Sequence, residues 1–187
     1  MNQPVTHAFL KELRKTLDLY PGKAMVGEVL LKPDETIPYL GDGSDELHMY
    51  FNFHLVPLFL QAALAGNVAG LLGGIQDTFA KFPPGGHHAV VIGNHDLPRN
   101  FSLIGESRER AKLLASLQLL LPGTPFIYYG DEIGMSNGET TMVDWRDIAR
   151  TPMAWDASTG GGFTPGAPWI GPSPGGAEKN VATETAD

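Results

Sequence analysis

Apolar positions at helical spacing open the chain. Val5, Phe9, Leu10, Leu13 and Leu17 recur every three or four residues, and Pro21-Gly22 stops the helix they predict. The run from Ala24 to Leu31 is nearly continuous in apolar residues, a pattern that suits a parallel strand covered on both faces. After a polar turn region from Lys32 to Glu46, Met49 to Phe53 reads as a second strand and Leu58 to Ala65 as a helix. The turn Pro83-Pro-Gly-Gly86 leads into a third strand, Ala89 to Gly93. A helix is predicted from about Ser107 to Leu121, with Ala111, Leu114, Leu117 and Leu121 on one face. Pro122-Gly-Thr-Pro125 ends it and starts a fourth strand, Phe126 to Tyr129.

Strands alternating with helices predict an α/β fold with a parallel sheet. Periodicity does not separate a barrel from a doubly wound sheet. No glycine-rich dinucleotide fingerprint or P-loop follows any strand, which argues against a nucleotide site. Residues 157–187 break the pattern: 11 of these 31 residues are Gly or Pro, with almost no apolar period. Such a stretch cannot bury enough surface to order itself. The expected organisation is one domain over 1–156 and a poorly ordered, irregular Gly/Pro-rich tail over 157–187.

Composition adds exclusions. A chain of 187 residues, 42% hydrophobic and 18% charged, is long enough for one domain with its own core. A net charge of −8 disfavours a nucleic-acid partner. There is no cysteine, so disulfides and thiolate metal sites are excluded. The N-terminus lacks a secretory signal, and no apolar run is long enough to span a bilayer. A cytoplasmic protein without a membrane partner is the expectation.

Polar residues stand where the predicted strands end, the place of the ligand site in parallel α/β folds. Glu28 interrupts an apolar run. Burial there would raise its pKa, as a general acid near neutral pH needs; a buried carboxylate paired with a lysine or arginine is the structural alternative. Asn94-His95-Asp96 follows the third strand. Its imidazole and carboxylate could grip vicinal hydroxyls, or Asp96 could cap backbone amides ahead of Pro98. His87-His88 reads as a surface turn rather than a metal site. Asp131 and Glu132, after the fourth strand, could bind a cation or pair with arginines. Arg146 and Arg150 share a face if their segment is helical. Trp145, Trp155 and Trp169 could stack on sugar rings or pack.

Four stretches together resemble glycoside hydrolase family 13, the α-amylase superfamily, in its oligo-1,6-glucosidase and α-glucosidase members. They are Val26-Gly-Glu-Val29, Gly93-Asn-His-Asp-Leu-Pro-Arg99, Gly123-Thr-Pro-Phe-Ile-Tyr-Tyr-Gly-Asp-Glu-Ile-Gly-Met135 and Arg150-Thr-Pro-Met-Ala-Trp-Asp156. The resemblance runs to about residue 175, and from Gly171 onward the tail drifts from the family pattern, as an artificial or frameshifted end would.

The resemblance implies a partial (β/α)8 TIM barrel, strands 5 to 8 with their helices. It implies that Glu28 is the catalytic acid/base and that Asp96 stabilises the oxocarbenium-like transition state while binding sugar hydroxyls. His95, Asn94, Arg99, Arg146 and Arg150 would bind the substrate, an α-glucoside oligosaccharide or disaccharide. Asp131 and Glu132 would have a supporting role. No cofactor or metal is expected in these residues, since the family's calcium site would lie in a preceding part. The family's nucleophilic aspartate sits in a Gly-Phe-Arg-x-Asp-like motif that these 187 residues do not contain. The family's glutamine is replaced by Leu97 in one motif and by Ala154 in another. The expectation is therefore a retaining α-glucosidase-type hydrolase, inactive as this polypeptide alone and prone to self-association through exposed barrel edges. A transglycosylase, a sugar isomerase of the trehalose or isomaltulose synthase type, or a non-catalytic sugar-binding or transporter-associated relative are the alternatives.

Overall fold

The computed structural model describes residues 1–139 and 144–185. In order, the elements are α1 (Pro4–Leu17), β1 (Val26–Gly27), α2 (Pro33–Thr36), β2 (Met49–Phe51), α3 (Val56–Ala65), α4 (Val68–Ala80), β3 (His87–Val91), α5 (Asn100–Leu103), α6 (Arg108–Leu120), β4 (Thr124–Phe126) and α7 (Val181–Glu184). They form two compact units. The first holds residues 1–91 and 117–126, the second residues 92–116 and 127–187.

The first unit carries the four-stranded sheet. Its order is β1-β2-β3-β4 and every neighbouring pair is parallel. The order never reverses along the sheet, so there is no switch point of the kind a doubly wound fold has. The fold is α/β with a parallel sheet, as the alternating pattern predicted.

Three of the four strands are shorter than the apolar runs suggested, and the third keeps its expected length but starts and ends two residues earlier, at His87–Val91. The first covers Val26–Gly27 rather than residues 24–31, and the fourth ends at Phe126, where residues 126–129 were expected. Beyond Phe126 the chain turns to tertiary bonds: the Tyr128 and Tyr129 hydroxyls donate to the carbonyls of Ala149 (2.9 Å) and Thr151 (2.6 Å). β4 tolerates Pro125 because it lies at a sheet edge, where a missing N–H costs no ladder bond on the open side.

Two further departures have local causes. The region read as a polar turn holds α2 and a 3₁₀ turn, Ile37–Leu40, whose Ile37 and Leu40 are buried against Tyr50. Helix α4 escaped the pattern because Gly70, Gly73 and Gly74 lower its propensity. Asn67 caps it by accepting the Gly70 N–H at 3.0 Å. At Gly74 a Cβ would collide with the Leu58 side chain, so glycine lets α4 approach α3 closely.

Helix α1 forms where predicted, yet none of its residues is buried. Val5, Phe9 and Leu13 face outward, and the polar face makes the attachments. His7 Nδ1 meets the buried Glu46 carboxylate at 2.8 Å, and Lys11 pairs with Asp45 at 2.6 Å.

His87-His88 belongs to β3 and not to a surface turn. His88 is 1% exposed, packed edge-on against Phe79 and Phe82. Its Nε2 lies 2.8 Å from the Pro122 carbonyl and its Nδ1 3.0 Å from Asn52 Nδ2. A carbonyl only accepts, so the Nε2–H tautomer donates to it and Nδ1 accepts from the Asn52 amide.

In the second unit Ile133, Met135, Met153 and Ala154 form a buried cluster with Val181 against it. Part of the stretch set apart as a tail is anchored. Val181 N–H donates to Ala154 O at 3.0 Å, Asn180 is fully buried, and Arg108 pairs with Glu184 at 2.6 Å. Residues 186 and 187 lie outside the described residues. No described helix is long and apolar enough to cross a membrane.

Candidate active site

In the first unit, Glu28 directly follows β1 and is exposed. Burial inside an apolar strand was expected, but the ladder ends at Gly27 and even Val26 within it is 38% exposed. No cation of its own unit pairs with it among the described residues, which removes the buried ion pair as an explanation. Its carboxyl is open to solvent at a strand's C-terminal end, the ligand end of parallel α/β folds.

The second unit gathers most of the other predicted residues. Asn94, His95 and Asp96 begin three residues past the end of β3. It is Asn94, not Asp96, that acts as the local cap: its side-chain oxygen accepts the Asp96 N–H at 2.9 Å. The Asp96 carboxylate is thereby left for side chains. Arg146 Nη1 donates to Asp96 Oδ1 at 3.1 Å, and Arg150 Nη2 donates to the same oxygen at 2.9 Å. Arg150 Nε also holds the His95 carbonyl at 2.9 Å. Asp96 Oδ2 accepts from neither arginine and lies 3.7 Å from His95 Nε2. The Asp96 side chain is 42% exposed and that of His95 53%.

Two carboxylates that the sequence reading passed over complete the network. Asp144 and Asp147 form a reciprocal capping box around the 3₁₀ turn Trp145–Ala149. Asp144 accepts the Arg146 backbone N–H (2.9 Å), its Nε (3.1 and 3.0 Å) and its Nη2 (2.6 Å). These hydrogen bonds to the Arg146 guanidinium hold the Asp144 pKa down at about 2. Asp147 is 4% exposed and takes Arg150 Nη1 at 3.4 Å. The Asp-x-x-Asp spacing was the available signal, since an acidic residue three positions after an N-cap is the capping-box pattern.

Arg99 goes elsewhere. It is 1% exposed, and its Nη1 donates to the Tyr129 carbonyl at 2.8 Å. Its guanidinium lies 5.4 and 4.7 Å from the ring centres of Tyr128 and Tyr129. Asp131 neither binds a described cation partner directly nor faces solvent freely. Burial raises its pKa to about 6, against the pull of Arg99 and of the Asn100 amide, which donates to it at 3.3 Å. Glu132 turns back on its own loop and accepts the Gly130 N–H at 2.7 Å. Gly130 has φ +88°, and a side chain there would meet Met135 and Arg99. Trp145, Trp155 and Trp169 are all exposed, so none is a core residue.

The profile of the alpha-amylase catalytic domain matches residues 1–187. The chain belongs to this family. The match includes the tail beyond Gly171, which the motif comparison had set outside the family pattern. Trehalose synthase/amylase TreS of Mycolicibacterium smegmatis is 33% identical over 213 residues, covering 92% of this chain and 35% of the relative. Oligo-1,6-glucosidase of Halalkalibacterium halodurans is 32% identical over 239 residues, covering 100% of this chain and 41% of the relative. The trehalulose synthase MutB of Pseudomonas mesoacidophila MX-45 superposes with a TM-score of 0.81 at 28% identity, again over 100% of this chain and 41% of that one. This alpha-amylase-family chain therefore spans well under half the length of the relatives it matches.

Proposed function

We propose that the chain supplies the acid/base and sugar-gripping half of an α-glucoside-processing active site, built on strands 5 to 8 of a (β/α)8 barrel. The observation that carries this reading is the Asp96 carboxylate. It is half-exposed, fixed through one oxygen by two arginines, and leaves its second oxygen beside His95 free to accept sugar hydroxyls. A carboxylate accepting hydroxyl protons gains strength as positive charge develops on the sugar ring, so its effect is largest in the transition state. Asn94 shapes the turn that presents Asp96, and Arg99 holds the Tyr128–Tyr129 segment from inside.

Glu28 is the general acid/base in this reading. It protonates the glycosidic oxygen as the bond breaks, then takes a proton from the incoming hydroxyl. A retaining mechanism also needs a carboxylate nucleophile about 5–5.5 Å from the acid. The family's motif for it does not occur in these 187 residues, so the polypeptide alone is expected not to turn over substrate. Release of p-nitrophenol from its α-glucoside by this polypeptide, abolished by Glu28→Gln, would overturn that expectation. The chemistry needs no cofactor from these residues.

Hydrolysis and isomerisation differ only in which hydroxyl attacks the glycosyl intermediate. Likeness to an oligo-1,6-glucosidase supports the first, and likeness to trehalose and trehalulose synthases supports the second equally. With the remaining barrel supplied, sucrose and maltose as substrates separate them: free glucose marks the hydrolase, a rearranged disaccharide the isomerase. Both β1 and β4 have an open edge in the described sheet, which favours self-association of the isolated polypeptide.

A further inference from the structure

Arg146 can present its guanidinium side-on, through Nε and Nη2, or end-on, through Nη1 and Nη2. A free arginine beside a carboxylate tends toward the two-pronged fork, occupying both oxygens. Here the side-on pair of donors, Nε and Nη2, is already taken by Asp144 at 3.0 and 2.6 Å. The end-on donors remain, Nη1 and the second N–H of Nη2, but with the guanidinium held by Asp144 it is Nη1 that reaches Asp96, at Oδ1, 3.1 Å. Asp144 is itself fixed from both ends. Its carboxylate also accepts the Arg146 backbone N–H, and its own N–H donates to the buried Asp147 at 3.3 Å. Arg150 meets the same Asp96 oxygen, and its remaining donors hold the His95 carbonyl and Asp147. Both arginines therefore converge on Oδ1, and Oδ2 stays uncommitted. An exposed ion pair would ordinarily be worth little, but a bidentate, networked one holds its geometry.

We propose that Asp144 is a positioning residue that restrains Arg146 to a single contact with Asp96, keeping the second carboxylate oxygen open to a sugar hydroxyl. Released from Asp144, Arg146 forks onto Asp96 and competes with the ligand. The proposal rests on the reading of Asp96 as the sugar-binding carboxylate, and its test separates the two.

The test is Asp144→Asn in the full 187-residue chain. Asparagine keeps an N-cap acceptor, so the turn folds, while the charged clamp on Arg146 is lost. Two readouts are followed: the ¹³C resonance of the Asp96 carboxyl, and binding of methyl α-glucoside by NMR titration. The expected result is a displaced Asp96 resonance and binding weakened about fivefold, the scale of losing access to one charge-assisted bond. Arg146→Lys, which cannot fork, should remove the effect of Asp144→Asn when the two are combined. An Asp96 resonance unchanged by Asp144→Asn overturns the proposal. If the unaltered chain binds no glucoside, the functional reading of Asp96 fails, and the Asp144 clamp still stands or falls on the carboxyl resonance.

Discussion

His88 in the first unit is buried and Asp131 in the second is partly buried, both close to strands, and desolvation drives their pKa values in opposite directions. It lowers the His88 pKa below its usual 6.5 and raises the Asp131 pKa from 3.8 to about 6. Burial disfavours the charged form of each, which favours an unprotonated imidazole in one and, below about pH 6, a protonated carboxyl in the other. The two units should therefore answer acid in opposite senses. The Asp96 carboxylate of the second unit is a third case, 42% exposed and paired with two arginines.

The largest expected effect comes from removing His88. Truncation to alanine leaves the Asn52 amide and the Pro122 carbonyl without partners and opens a cavity beside Phe79 and Phe82. A cost of about 3 kcal/mol is expected, combining the cavity with two stranded polar groups. Amide hydrogen exchange in β2 and β3 reads it directly. Unchanged protection there would mean that His88 is not what holds the sheet.

Acid gives the next effect. For His88 the folded pKa lies below the unfolded one. Its stability contribution is present above pH 6.5 and is lost as pH falls from there through the lowered folded value. For Asp131 the folded pKa lies above the unfolded one. Its contribution is fully present below 3.8 and is lost as pH rises through about 6. Between pH 7 and 5, exchange protection should fall in the first unit and rise in the second. Asp131→Asn keeps an acceptor for Asn100 and removes the ionisation. It should stabilise the second unit at pH 7 by about 1–2 kcal/mol and abolish its acid response. A second unit that still strengthens toward pH 5 in this variant would assign the response to another group.

How much of this was legible in the residues follows the same division. The Asn94-His95-Asp96 motif and its two arginines were legible through the resemblance; the residues alone left a capping role open, which Asn94 fills. Asp144 and Asp147 were not singled out, since a lone aspartate beside an arginine looks like ordinary solvated surface. The environment of Glu28 was misjudged because an apolar run says nothing of where the ladder stops, and here it stops one residue earlier. Helix α4 was hidden by glycines whose purpose, close approach to Leu58, exists only in three dimensions. For Asp131 a strand-end position was visible, but the burial that shifts its pKa depends on packing around Arg99 and Asn100.

Asp96 should separate function from stability most sharply. Asp96→Asn removes the negative charge that pairs with two arginines on an exposed surface, where single ion pairs contribute roughly 0–1 kcal/mol. Thermal stability should barely move, while methyl α-glucoside binding, if Asp96 grips the sugar, should drop by about tenfold or more. A large loss of stability with binding retained would make the network structural.

The smallest stability effect belongs to α1. The apolar positions that predict the helix lie outside the core: Phe9 is 67% exposed, and the helix is attached through His7 and Lys11 on its polar face. Phe9→Ala should therefore alter stability by less than about 0.5 kcal/mol, as surface substitutions do. Exposed stripes of this size mark contact surfaces, so the same change should lower self-association in sedimentation velocity. If association is unchanged while Lys substitutions along β1 or β4 disperse the chain, the open sheet edges rather than α1 drive it.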